Sequence, residues 1–388
     1  MSEAPPVLQP SPLDSARFDL QVWRGRAPQV DAKTLAAQIL QARCDVAILR
    51  TPAGAASGIA GLARWALPVL HADTLVYYRC DLDRYAPAPL RNADLAFSLG
   101  TPDDLPELRV LIAHTFSQYV AHYHANPLFG REQILAGYQQ WAENHVTDAG
   151  STLWVARREG RIVAFAACHE HAGHEHAGEG HDAAPVFEGV LYGVAPDAAG
   201  GGLYGDLIRH TQAVARSRGA REMKVSTQVH NYAVQKVWAR EGFHLFEALD
   251  TWHVNALLSA GQTIVDRPLT FSAEQIRRFA EVSGDANPLH VDAAAARAAG
   301  FPGCIAHGVL AATELSRVLG TDAPGPGTII RHLEQAFLRP LLADVAYRLV
   351  VRIPGGLRES GPMQAVAQVL DEDGQTCMLA RSDILRRR

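Results

Sequence analysis

The chain has no cysteines at the spacing of a metal or redox motif: Cys44, Cys80, Cys168, Cys304 and Cys377 stand far apart, and five cannot all pair within one chain. That argues against a disulfide-stapled fold or a zinc ribbon, and a reducing, cytoplasmic compartment is the expected setting. No apolar run is long enough to span a bilayer, and the proline-rich start, Met1–Asp14, lacks the basic and hydrophobic regions of a signal peptide. Positive charge is not in excess either. With 36 Lys and Arg against 41 Asp and Glu, the formal charge of −5 gives no electrostatic reason to expect nucleic acid or an acidic membrane surface as a partner. Any anion site must be local. Hydrophobic residues make up 48% of the 388, enough to bury real cores and too long a chain for one small domain. No internal repeat is present, so two or three unlike domains are expected behind a disordered tail at residues 1–17.

The densest chemistry lies near the C-terminal end. Asp285 and His290 bracket Asn287 and Pro288, and Ala306, His307 and Gly308 follow. An acid/base pair beside a glycine with an accessible backbone N–H is what adding water across a thioester-activated double bond requires. Ser272 with Gln275 three residues on forms a capping box, and Ile276, Phe279, Ala280 and Val282 give the helix that follows one apolar face, ending at Gly284. The pair therefore falls in the loop after that helix. Asp292 is placed to cap a short alanine-rich helix that stops at Gly300, and a third helix starts near Gly308. Strand-like runs follow at Thr328–Phe337, Ala346–Ile353 and Gln364–Leu370, an order that suits a helix wrapped by a curled antiparallel sheet. The turn-forming habit of Asp, Asn and Pro is the alternative account of Asp285 alone.

Residues 261–388 resemble the MaoC-like (R)-specific enoyl-CoA hydratases of the hot-dog fold, on the run Phe279 to Asp292, the Ala306-His307-Gly308 step and the turn Pro324 to Gly327. The resemblance implies that Asp285 and His290 hold and activate water and that the Gly308 N–H stabilises the enolate oxygen. Ser316 matches a serine of that family near the active site. It also implies a homodimer through this domain.

Upstream, Thr152–Ala167 alternates as a hairpin around Glu159 and Gly160, Val186–Val194 reads as a strand, and Leu203–Arg218 as a helix stopped by Gly219. Between strand and helix stand Gly200, Gly201 and Gly202, where the backbone can approach a ligand closely and a helix N-terminus offers unpaired N–H groups. A strand at Met223–Thr227 and a helix after Asn231 complete an order that resembles the GNAT acyltransferases over about residues 94–256. That resemblance implies a coenzyme A thioester as substrate: pantetheine along the strand ending at Val194, pyrophosphate on Gly200, Gly201, Gly202 and Leu203, and Asn231 nearby. Two departures bear on mechanism. Ala199 and Tyr204 replace the usual residues around the glycines, and Trp238 stands where many relatives carry a tyrosine that protonates the departing thiolate; an indole N–H is far too weak an acid for that. Glu188 is the candidate base.

A narrower resemblance is to the branch that acylates nucleotide-linked amino sugars, the TDP-fucosamine acetyltransferase type, with a small subdomain at 18–90 preceding the coenzyme A-binding domain at 91–257. His122, Tyr123, Tyr138 and Trp141 would stack on or hydrogen-bond the sugar or base. The run from His169 through His171, His174, His176 and His181 has enough imidazoles for a metal, but its Gly and Ala content suits a solvated loop, and neither reaction needs a metal. The linker around Leu257 to Thr263 is short, so the domains are expected to pack rather than swing. The expected fold is a mixed α/β acyltransferase domain followed by an α+β hot-dog. The expected function is hydration of a short 2-enoyl-CoA such as crotonyl-CoA, then transfer of the (R)-3-hydroxyacyl group to a nucleotide-linked amino sugar. An amine acetyltransferase with a non-catalytic hot-dog half and an acyl-CoA-binding sensor remain as alternatives.

Overall fold

The computed structural model describes residues 7–148, 150–171 and 185–387. Its chain divides into two compact units, one made of residues 1–49, 55–70 and 252–388, the other of 50–54 and 71–251. Among the described residues no helix is long and apolar enough to cross a membrane.

In the first unit, β1 (Leu8–Pro10), β2 (Val22–Arg26) and β3 (Val46–Pro52) lie side by side, with α1 (Pro12–Phe18), α2 (Ala32–Gln41) and α3 (Ser57–Ala60) between and after them. Residues 8–17 are therefore not a disordered tail. Leu8 and Phe18 are both buried, β1 pairs antiparallel with β2, and Pro12 occupies the first helical turn, where its missing N–H costs nothing. The boundary of the N-terminal subdomain differs from expectation too, since most of 18–70 groups with the C-terminal residues rather than with the acyltransferase. Two buried charges account for this. The Asp45 carboxylate accepts from the N–H of Gln21 at 2.8 Å, of Ser259 at 2.7 Å and of Ala260 at 2.8 Å, and from the Ser259 hydroxyl at 2.7 Å. Arg381 donates to the carbonyls of Ala66, at 2.6 Å, and Ala256, and its burial brings the guanidinium down to about 10. The short linker is thus pinned at both ends.

The second unit carries most of β4 (Val69–Asp81), β5 (Ala96–Leu99), β6 (Ser151–Arg158), β7 (Arg161–His171), β8 (Val186–Val194), β9 (Glu222–Gln228) and most of β10 (His244–Asn255), in the order β10-β4-β9-β8-β7-β6-β5. The hairpin between β6 and β7 turns on Glu159 and Gly160, both at positive φ. Helices α4 (Leu105–Phe116) and α5 (Arg131–Thr147) pack on β6 and β7, while α6 (Leu203–Ser217) and α7 (Tyr232–Arg240) contribute to a core with Cys80, Met223, Val225 and Trp238.

Back in the first unit, β11 (Gln262–Thr270), β12 (Thr328–Phe337), β13 (Ala346–Ile353), β14 (Gly361–Leu370) and β15 (Thr376–Arg386) form an antiparallel sheet ordered β11-β13-β14-β15-β12. Helices α8 (Ala273–Ser283), α9 (Pro288–Val291), α10 (Ala293–Ala298) and α11 (Gly308–Arg317) complete it. Ala311 and Leu315 of α11 are buried against Leu349, Val351, Ala367 and Ala380 of the sheet. The Ser272 capping box, the left-handed Gly284 and the Asp292 cap all form as the sequence implies.

Candidate active sites

The hydratase-type site is assembled by three helix ends. The α8 helix stops at Gly284, whose φ of 76° turns the chain so that Asp285 follows at once, exposed to solvent. Asn287 caps the short α9, which carries His290. The third end belongs to α11, where Gly308 is the first helical residue and its N–H is one of the donors a helix leaves free. A Cβ at Gly308 would come within 2.5 Å of the Phe337 ring, so the approach of that ring suits glycine here.

Hydrogen bonds fix the imidazoles. His290 donates from Nδ1 to the Ile305 carbonyl at 2.8 Å, leaving Nε2 as the basic nitrogen. His307, 2% exposed, donates from Nε2 to the Asp285 carbonyl at 2.9 Å and stacks on His290 at 3.8 Å between ring centroids. Its Nδ1 is buried without a hydrogen-bond partner among the described residues. One group each from Asp285, His290 and His307 lies within 4.8 Å of the others, the arrangement among the described residues that could hold a metal ion. The sequence reading assigned His307 no role; its place in the Ala-His-Gly step was the available signal. Ser316 is on α11 but exposed, and no hydrogen bond among the described residues joins it to Asp285 or His290.

The acyltransferase-type site is built on a parting of strands. β8 and β9 pair in parallel only from Val186↔Glu222 to Gly189↔Val225. Immediately after, the register against β7 shifts so that Val190 is an extra residue, a bulge that bends β8 away from its neighbour. β8 runs on to Val194 and β9 to Gln228 without pairing each other, which leaves a backbone edge open to an extended ligand. Beyond Val194, Gly200 and Gly202 take φ of 85° and 87°, and Gly202 leads straight into α6 with no side-chain cap, so the N–H groups at Leu203 and after face the loop. Asp206 in the first turn is buried; burial pushes its carboxyl up, but the N–H groups of Arg91 and Asn92 and the nearby Arg209 guanidinium hold it below the ordinary range. It is thereby engaged in structure rather than opposing an anion. Asn231 donates to the Thr227 hydroxyl at 3.0 Å.

Other expected residues are distributed unevenly. Glu188 lies on the stretch of β8 paired on both sides and meets His171 Nε2 at 2.8 Å, so the structure does not bring it to the parting of the strands. Tyr138 stacks on Phe116 at 4.7 Å and meets Tyr119 edge-on at 5.9 Å, and the Tyr119 hydroxyl donates to the Gln228 amide oxygen at the end of β9. The His122 and Tyr123 rings meet at 4.0 Å, tilted by 32°, on the turn before α5, and Trp141 is 40% exposed beside His145. Trp238 is 2% exposed and packs on Tyr78 at 5.5 Å, a core residue. Tyr204 lies among the same groups, its phenol pushed up by burial. Of the histidine-rich run, His169 meets Ser151 and His171 meets Glu188, whereas His174, His176 and His181 lie outside the described residues.

The chain thus carries two folds, a helix wrapped by a curled sheet that bears Asp285, His290 and Gly308, and a strand-parting, glycine-loop domain. Residues 258–346 match the MaoC like domain and residues 117–243 match the Acetyltransferase (GNAT) family. The (R)-specific enoyl-CoA hydratase of Aeromonas caviae is 36% identical over 93 residues, 24% of this chain and 69% of that protein. The mitochondrial 3-hydroxyacyl-[acyl-carrier-protein] dehydratase of Arabidopsis thaliana is 41% identical over 69 residues, 18% of this chain and 41% of that protein. The chain thus spans between 41% and 69% of the length of these two curated relatives. Among solved structures, the (R)-hydratase of A. caviae has a TM-score of 0.31 at 25% identity, covering 33% of this chain and 97% of that one. A GCN5-related N-acetyltransferase from Sphaerobacter thermophilus has a TM-score of 0.38 at 16% identity, covering 55% and 60%. The chain belongs to the MaoC-like family through its C-terminal domain, which is homologous to (R)-specific enoyl-CoA hydratases, and it carries a GNAT acetyltransferase domain before it. Both families take coenzyme A thioesters as substrates.

Proposed function

We propose that the chain is a bifunctional enzyme that hydrates a short 2-enoyl-CoA, such as crotonyl-CoA, and transfers the resulting (R)-3-hydroxyacyl group to the amine of a nucleotide-linked amino sugar. The observation that carries the hydratase half is the meeting of Asp285 with a His290 whose Nε2 is left basic, followed along the chain by Gly308 at the start of α11. Asp285 and His290 hold a water and remove its proton as its oxygen adds to C3. The thioester oxygen, becoming an enolate, takes the Gly308 N–H, and a proton returned to C2 completes the addition. Ser316 belongs with this site only by its match to the family.

In the acyltransferase half, the free edge ending at Val194 binds pantetheine, and the N–H groups from Gly200 to Leu203 hold the pyrophosphate. Asn231 steadies the end of β9 through Thr227. His122, Tyr123, Tyr138 and Trp141 are of the residue types that stack on or hydrogen-bond a sugar or base, and they are the candidate acceptor contacts. A homodimer through the hot-dog domain fits Ile329, Leu333 and Phe337, which are exposed on β12 at the end of the sheet order.

The test is to supply each activity with its own substrate. Crotonyl-CoA alone is expected to lose its enoyl absorbance and give the (R) alcohol. Acetyl-CoA with a dTDP-4-amino-4,6-dideoxyhexose is expected to release the coenzyme A thiol and give an amide by mass spectrometry. Hydration without transfer, or transfer without hydration, would leave one half standing and refute the bifunctional reading.

A further inference from the structure

A carboxylate in the acyltransferase unit lacks a partner. Asp73 lies on β4, both of its carboxylate oxygens are shielded from solvent, and neither meets a hydrogen-bond partner among the described residues. A charge withdrawn from water without a partner is costly, and a fold retains one where something outside the chain supplies the missing donor.

The strand register locates it. β4 pairs with β9 so that Leu75 faces Gln228 and Tyr77 faces Ser226. Side chains alternate along a strand, so Asp73 shares its face with Leu75, Tyr77, Ser226 and Gln228. The intervening residues, Tyr78 and Cys80, belong with Met223, Val225 and Trp238 to the core on the α6 and α7 side. Asp73 is therefore on the other face, beside the part of β9 that continues after β8 has parted from it. Tyr119 confirms the neighbourhood: its hydroxyl bonds to Gln228, and burial, reinforced by the nearby Asp73 charge, pushes its phenol up. A ligand lying between the parted ends of β8 and β9 would run beside this stretch of β9.

We infer that Asp73 is the acceptor-binding residue of this unit and that it selects an acceptor bearing a primary amine, bound as its ammonium, over one with hydroxyl groups alone. The inference rests on the acyl-transfer reading above. An ionised carboxylate only accepts hydrogen bonds, and an ammonium supplies three donors and the compensating charge. In the transfer, one ammonium proton passes to the Asp73 carboxylate and the freed nitrogen bonds to the thioester carbonyl carbon. The carbon–sulfur bond breaks, the second proton lost by that nitrogen passes through water to the departing coenzyme A thiolate, and Asp73 releases its own proton to solvent. This places no demand on Trp238.

Asp73→Asn, a neutral replacement of the same shape, tests this in two ways. Without ligand, this replacement removes no hydrogen bond seen among the described residues and should not lower the melting temperature; a fall would show that the carboxylate holds the fold together, and would overturn the inference. Kinetically, acetyl-CoA is offered with dTDP-4-amino-4,6-dideoxyhexose, tyramine, spermidine or dTDP-glucose, and thiol release is followed. The KM of the amine used by the wild type should rise at least about tenfold, while that of acetyl-CoA stays within about twofold and crotonyl-CoA hydration is unchanged. An unchanged amine KM, an acetyl-CoA KM rising in step, or wild-type transfer to dTDP-glucose alone would overturn it. Wild-type transfer to none of the four would instead refute the acyl-transfer reading on which it rests.

Discussion

Gly308 permits a substitution that removes one N–H and little else. It is the first residue of α11, where the N–H has no place in the helical hydrogen-bond ladder and proline is well tolerated. His307 before it has φ of −60° and ψ of 134°, the extended conformation that a following proline demands. Gly308→Pro therefore deletes the proposed enolate donor while leaving the backbone path intact. Both proline and alanine add a Cβ, which would meet the Phe337 Cζ at 2.5 Å and Cε2 at 2.8 Å. That ring is half-exposed and can turn aside, and Gly308→Ala measures what its displacement does. The proline-to-alanine comparison then isolates the N–H. Losing a donor to a developing oxyanion costs about 10²- to 10³-fold in kcat, or roughly 3 to 4 kcal/mol. The assay is the loss of enoyl absorbance from crotonyl-CoA, with melting temperature as the folding control. If the two variants hydrate within about threefold of each other, the N–H stabilises nothing in the transition state and the assignment fails.

Three further substitutions follow from the same structure. Asp285→Asn should lower hydration by about 10²- to 10⁴-fold with little change in melting temperature, since Asp285 is exposed and its side chain accepts one 3.3 Å bond, from Asn287; retention of a tenth of the activity would remove it from the chemistry. Asp45→Ala strips four donors of their acceptor, and should cost about 3 kcal/mol or more in urea unfolding; less than about 1 kcal/mol would mean the pinned linker adds nothing. His210, stacked on Phe97 at 4.1 Å, is brought by burial from 6.5 to about 4. The unfolded chain binds the proton more readily, so this histidine's contribution is fully present above pH 6.5 and is lost as the pH falls through about 4. His210→Gln should flatten the fall in urea midpoint over that window, and an unchanged slope would contradict the linkage.

Much of the candidate hydratase site was legible because it is local: Ser272 to Asp292 contains its own caps, turn and acid/base pair, and Gly308 opens the next helix. The strand at 186–194 and the glycine loop were legible for the same reason. The edge strand β11 and the fully packed β15 were not read, the latter because its nearly continuous burial gives no alternation and Arg381 interrupts the apolar run. Asp45 and Arg381 draw the N-terminal residues to the C-terminal domain through contacts 214 and 315 residues apart, which no local pattern encodes. Asp73 and Tyr119 were missed likewise, because only the pairing of β4 with β9 and the placement of Tyr119 on Gln228 bring them to the parted strands. Glu188 looked suitable by strand position, yet the extent of β8–β9 pairing puts it short of that opening.

The claim that the two domains handle one acyl group in turn is tested most directly in heavy-oxygen water. Crotonyl-CoA and a dTDP-4-amino-4,6-dideoxyhexose are incubated with the full chain, and the sugar product is read by mass spectrometry. The account predicts a 3-hydroxybutanoyl amide carrying one heavy oxygen, lost in Asp285→Asn and replaced there by the unhydrated crotonyl amide. A crotonyl amide alone from the wild type, or no amide at all, would contradict it.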